Sequence, residues 1–183
     1  MSEPSSYALH VAVQPDRLRD WLAAPCPAPN TWQDWENLNI PRLPGVFDTA
    51  RRASGNPIGA LLAELVSPAP ECWHFVWADG RLSLVALQGS ENWAVHLLFL
   101  TAFRTLGQFG AGPGAAVSHG YVWREGITDW GVLFNESGDN QVTEELPSDV
   151  KAELDAMVLP LVDAARAGEA GPARDEFDTW WPG

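Results

Sequence analysis

Bases are scarce in this chain. Across 183 residues there are 11 of them against 24 acids, a net charge of -13, and Lys151 is the only lysine. A field of that sign repels phosphates and anionic lipid heads and draws cations inward. Nucleic-acid and membrane binding are therefore excluded from the expectations, and a basic protein becomes the expected kind of partner. Cysteine is scarce too. Cys26 and Cys72 show no pairing pattern and read as buried thiols in a reducing compartment. The longest apolar run, Trp93 to Phe103, is broken by His96 and Thr101 and is too short to cross a bilayer. The opening MSEPSSYALHV has no basic region ahead of a long apolar core, so a cytoplasmic location is expected.

Signatures of chemistry are missing as well. No serine sits on a G-x-S-x-G elbow. The loop GAGPG, Gly110 to Gly114, lacks the Gly-Lys-Ser/Thr ending of a phosphate loop and reads as a helix-to-strand connection. Among Cys26, Cys72, His74, His96 and His119, only Cys72 and His74 are close, and their spacing fits neither a zinc knuckle nor a metalloprotease helix. Nothing local activates Cys72 toward a distant His119 and Asp129; a cysteine beside a tryptophan in a hairpin is core. The acid pairs Glu144-Glu145 and Asp175-Glu176 read as solvated surface rather than as a glycosidase pair. The expectation is no catalytic residue, no metal and no cofactor.

What is present is an ordinary globular composition, 46% hydrophobic and 19% charged, at a length that suits one core. SYALHVAVQ places Tyr7, Leu9, Val11 and Val13 on one side of a strand. PDRLRDWLAA follows as a helix with Leu18, Trp21 and Leu22 on one face. TWQDWENL reads as a short helix with a Thr31 cap, Asp34 in a capping box, and Trp32 and Trp35 on a shared face. Ile58, Leu61, Leu62 and Leu65 form the stripe of another helix. In CWHFVWADGRLSLVALQG, Asp79-Gly80 is a two-residue type I′ turn that sets Trp77 opposite Leu82, Phe75 opposite Leu84 and Trp73 opposite Ala86.

SENWAVHLLFLTAFRTLG is apolar nearly all round, the mark of a buried helix, with Ser90 as its cap. AVSHGYVW and TDWGVLFN, joined around Arg124, Glu125 and Gly126, form a second hairpin. A last helix runs from Ser148 to Ala167 with Pro160 inside it. These pieces predict an α+β fold: an antiparallel sheet of about five strands with helices packed on one face. A single domain spans residues 1–167, and 168–183 form a linker and an acidic aromatic tail.

Ten tryptophans are more than such a core takes up readily, since each buries ~150 to 250 Å². Trp73, Trp77 and Trp93 have core spacing. Trp32 and Trp35, Trp123 and Trp130, and Trp180 and Trp181 are the candidates for an exposed surface. The tail DEFDTWWPG combines such aromatics with acids. Tryptophan offers rigid contact area and cation–π faces to Arg or Lys, and carboxylates speed the encounter. Asp175, Glu176, Asp178, Trp180 and Trp181 are the first expected partner contacts, followed by Glu125, Asp129 and Trp130. Against this stands a tail that staples onto its own fold; on an extended segment, the adjacent tryptophans would point to opposite sides and do one job each.

A small, acidic, tryptophan-rich α+β chain carrying stretches such as DEFDTWW and TWQDWENL resembles the immunity proteins with which bacteria neutralise toxins. The resemblance is one of overall character and carries over no residue. It implies a protein that grips a basic toxin or effector and occludes its active site. Two other classes fit the same sequence: a small-molecule-binding domain or enzyme with a tryptophan-lined pocket, and a secretion chaperone or adaptor that holds an apolar segment of a cargo.

Overall fold

The computed structural model describes residues 5–38, 43–66, 73–90, 92–119, 130–168 and 177–181. At its centre lies strand β1 (Ser5–Ala12), whose alternation sends Tyr7, Leu9 and Val11 to one face and Ala8 to the other; all four are fully buried. β1 pairs antiparallel with β3 (Arg81–Ser90) on one side and with β4 (Gly114–His119) on the other. β2 (Trp73–Ala78) continues the sheet beyond β3, and β5 (Trp130–Phe134) and β6 (Asn140–Thr143) continue it beyond β4. The strand order is β2-β3-β1-β4-β5-β6, antiparallel throughout.

The β2–β3 hairpin has the expected register, Trp73↔Ala86, Phe75↔Leu84 and Trp77↔Leu82. Its turn works because Asp79 and Gly80 take φ values of 51° and 78°, a left-handed pair that a type I′ turn requires. The second expected hairpin is also formed, with Ser118 opposite Trp130; the turn around Arg124, Glu125 and Gly126 lies outside the described residues.

Helices cover both faces. α1 (Pro15–Ala23), α2 (Leu43–Ala53), α3 (Ile58–Val66) and α4 (Trp93–Thr105) lie on the side of Tyr7, Leu9 and Val11, where the larger core gathers. α4 is buried over most of its length, as its all-round apolar sequence requires; Asn92 rather than Ser90 caps it, its Oδ1 accepting from Ala94 N at 2.9 Å. α5 (Ser148–Ala167) crosses the opposite face, where Leu154, Val158 and Val162 pack on Ala8, Val85, Leu87, Ala115 and Val117. The antiparallel α+β architecture is the one expected, with six strands instead of about five and one helix on the second face. The second layer exists because β3 and β4 carry apolar residues at successive positions, so neither face of the sheet centre is polar.

TWQDWENL does not form the expected helix. It makes one 3₁₀ turn, Asp34–Asn37, after a first that ends at Thr31 (Pro29–Thr31), and the Asp34 carboxylate is held by Arg104 and Val142 N. The cause is Arg104 near the end of α4. Its guanidinium, 1% exposed, donates from Nη1 and Nη2 to the two Asp34 oxygens at 2.7 and 3.1 Å, and from Nε to Asn140 Oδ1 at 2.8 Å. A bidentate charged pair outweighs a local cap.

Candidate partner-binding surface

The acids are not spread evenly. Between Glu125 and Asp163 lie ten carboxylates and one base, Lys151; the rest of the chain holds fourteen acids against ten bases. The eight described members of the acidic stretch sit on consecutive elements. Glu136 and Asp139 flank the β5–β6 turn, Glu144 and Glu145 join β6 to α5, and Asp149, Glu153, Asp155 and Asp163 lie on α5. Six of them are exposed, and Glu144 and Asp155 are half-buried. Lys151 offsets one of them, its Nζ lying 3.3 Å from Asp155 Oδ1. Beside Asp139 an open groove of about 380 Å³ runs along the hairpin, lined by Leu133, Phe134, Asn135, Asn140 and Gln141.

The sheet edge next to this surface is held by the Arg104–Asp34 pair. β6 is a terminal strand, and such strands offer unpaired N–H and C=O groups to any passing chain. Here the ion pair engages two of them: Val142 N donates to Asp34 Oδ2 at 3.2 Å, and Asn140 O accepts from Arg104 Nη2 at 3.5 Å. Asn140 Nδ2 returns a bond to Arg104 O at 3.0 Å. The Arg104 Cζ also lies 4.8 Å from the ring centroids of both Trp32 and Trp35. Burial alone would raise the Asp34 carboxyl, but the bonds from Arg104 and Val142 N–H and the guanidinium charge outweigh it and hold it below the usual carboxylate range. Desolvation lowers Arg104, and Asp34 opposes that shift.

The expected contact residues fall into two separate groups. One row crosses the sheet through Trp73, Ala86, Tyr7, Ser118 and Trp130, and its ends are four strand spacings apart, roughly 19 Å. Trp130 ends the row on β5. It is 4% exposed, not a surface anchor, because Trp93 covers it with ring centroids 4.5 Å apart. Trp93, expected in the core, is the exposed member of the pair at 43%. Glu125 and Asp129 lie outside the described residues.

Behind the two indoles, His96 Nδ1 lies 2.8 Å from Ser118 Oγ and 3.3 Å from the Tyr7 hydroxyl, all three buried. Burial lowers the imidazole to about 4 and raises the Tyr7 hydroxyl, so this cluster is neutral. On the second face His10 Nδ1 meets Ser83 Oγ at 2.9 Å; burial and then Arg81 lower it, against Glu153.

The other group is the tail. Asp175 and Glu176 lie outside the described residues, and Asp178 is exposed. Phe177, Trp180 and Trp181 dock on the chain itself. The segment is not extended: α6 (Phe177–Trp180) is one helical turn, closed by Trp181 N donating to Phe177 O at 2.7 Å, so these three aromatics share a face instead of pointing to opposite sides. Phe177 is 1% exposed and meets Trp73 and Phe75 edge to face at 5.9 and 5.2 Å. Trp180 lies between Trp77, at 5.9 Å, and Arg19, whose Cζ is 4.8 Å from its ring. Trp181 covers Gly59 of α3, where a Cβ would overlap the indole. The i, i+3, i+4 spacing of these aromatics was the readable signal for this turn.

Among the described residues no group of three or more His, Cys, Asp or Glu is placed to hold a metal ion, and no helix is long and apolar enough to cross a membrane. Cys26 is a free, buried thiol that burial pushes up to about 12; Cys72 lies outside the described residues. No protein-family model matches the chain, nor does any curated protein or solved structure.

Proposed function

We propose that this protein binds a basic protein and inhibits it, as an immunity protein does a toxin, by laying carboxylates across the site where the partner holds an anionic substrate. The observation that carries the reading is the segregation of charge: ten acids and one base over Glu125 to Asp163. A surface kept acidic merely for solubility would need no such concentration, since charge spread over the chain serves that purpose equally well. The exposed carboxylates of the β5–β6 turn and α5, with Glu125 and Asp129 just ahead of β5, form the proposed contact. Trp93 supplies an exposed aromatic anchor on the neighbouring element. Asp175, Glu176 and Asp178 form a second acidic group, whose neighbours Trp180 and Trp181 are engaged in packing.

The experiment is a capture. Tagged full-length protein and a variant carrying Glu144→Gln, Glu145→Gln, Asp149→Asn and Glu153→Gln are incubated at low ionic strength with lysate of the source organism. The proposal expects one basic protein on the native surface, lost from the variant, and inhibited in its own assay by the native chain. An equal yield from both proteins, or a partner that is itself acidic, refutes it.

A further inference from the structure

Where TWQDWENL gives up its helix, a recess opens. About 220 Å³ of space is lined by Asn30, Trp32, Gln33, Trp35 and Glu36 of that stretch and by Phe47 of α2. A smaller recess of about 100 Å³ shares Asn30 and Phe47 with it and adds Asp48 and Arg51. The aromatic wall is held in place from within the fold. Trp35, 1% exposed, donates its indole N–H to Pro29 O at 2.7 Å, and Trp32 meets it edge to face with centroids 6.4 Å apart. The Arg104 guanidinium lies 4.8 Å from both rings. Trp32 and Phe47 are half-buried: each packs on the core and also lines the recess.

The polar groups around this wall are not used by the fold. Among the described residues, Trp32 Nε1 and the side chains of Asn30, Gln33 and Glu36 make no hydrogen bond, and those last three residues are exposed. The recess thus joins aromatic rings to an indole donor, two amides that both donate and accept, and a carboxylate that accepts. The Asp48–Arg51 pair, loose at 3.8 Å, adds a further acceptor and donor. That mixture selects a ligand class. An anion meets Glu36, Asp48 and a net charge of -13. A cation finds the π charge of both indoles already drawn toward Arg104, so it gains less from the rings. A purely apolar molecule would strip water from the amides and return no hydrogen bond. A neutral sugar ring meets every condition, because its C–H face stacks on an aromatic ring while its hydroxyls, each a donor and an acceptor, reach the amides and the carboxylate.

We infer that the recess between TWQDWENL and α2 is a binding site for a neutral saccharide, with Trp32 as its stacking platform and Asn30, Gln33 and Glu36 as its hydroxyl partners. The Arg104–Asp34 pair then has a second consequence besides holding the β6 edge, since the same guanidinium fixes the platform before any ligand arrives. This site goes beyond the inhibitor reading and does not rest on it.

The test is saturation-transfer NMR on the full chain with glucose, galactose, mannose, N-acetylglucosamine and the β-1,4-linked disaccharides of glucose and N-acetylglucosamine, beside N-acetylarginine amide as the cationic rival. At least one saccharide should bind with a Kd of about 10 mM or tighter, with transfer strongest at its ring C–H protons, and the arginine amide should not saturate in that range. Trp32→Ala should weaken the bound saccharide about tenfold or more. Because Trp32 also touches the core, the exposed pair Asn30→Ala with Gln33→Ala serves as the second variant; it should leave thermal unfolding unchanged and weaken binding about fivefold. No saccharide saturating by about 10 mM, binding that survives both variants, or a recess that takes the arginine amide instead overturns the inference.

Discussion

Replacing Asp34 by alanine should be among the most damaging single changes in the molecule. The Arg104 guanidinium is 1% exposed and has lost nearly all its hydration; Asp34 returns two charge-assisted bonds and the countercharge. Without it, Arg104 keeps only its Asn140 contacts, and Val142 N–H loses its acceptor on the edge of β6. Removing one partner of a buried pair costs about 3–5 kcal/mol, and because the Asp34 side chain is 29% exposed the lower end, about 3 kcal/mol, is expected. In a domain of this size that lowers the melting temperature on the order of 10 °C.

The assay is urea unfolding at neutral pH, with Asp34→Asn and the pair Asp34→Leu with Arg104→Met as controls. Asn keeps one acceptor and should lose about half as much, and the apolar pair should cost less than Asp34→Ala alone, since no charge is left buried. Amide exchange at Val142 should speed up in Asp34→Ala. A loss below about 1 kcal/mol would refute the account, because that is the range of an exposed ion pair.

Three further outcomes are expected. His96 titrates near 4 in the folded protein against 6.5 in the unfolded chain, so the unfolded state binds the extra proton. The His96 contribution to stability should be flat above pH 6.5 and fall toward pH 4 by roughly 3 kcal/mol, so a His96→Gln variant should show a shallower slope over that range in urea unfolding at several pH values. Gly59→Ala favours the α3 helix by about 1 kcal/mol in propensity but evicts Trp181; it should destabilise the native chain and stabilise a Trp181→Ala background, as read by thermal unfolding of the cycle. With its thiol pushed up to about 12, Cys26 in a Cys72→Ser background should stay unlabelled by a thiol reagent until urea unfolds the protein, and labelling in the folded state would contradict its burial.

The local rules read well where local rules decide. Asp79-Gly80 fixed a register that the structure reproduces residue for residue, and the all-round apolar α4 is buried as its sequence requires. They failed where a distant group outbid a local one. Asp34 looks like a capping residue until Arg104, 70 positions on, is placed beside it. Trp93 and Trp130 exchange roles because β5 carries Trp130 inward at the row shared with Ser118, and the first turn of α4 leaves Trp93 above it. Phe177, Trp180 and Trp181 were spaced for a helical face, but a lone turn has no intrinsic stability, so only the β2 surface makes that spacing meaningful. The second helical layer was half visible: Val85 and Leu87 alternate out of phase with Leu84 and Ala86, which calls for a cover on both sides.

The central claim is that the carboxylates between Glu125 and Asp163 steer a basic partner onto this face. The most direct measurement is the association rate of the captured partner with native protein and with the variant neutralised at Glu144, Glu145, Asp149 and Glu153, each followed across ionic strength. The account predicts an association rate lowered about tenfold or more by neutralisation at low salt, with the two proteins converging as salt screens the field. Association rates that are equal at every ionic strength would contradict it.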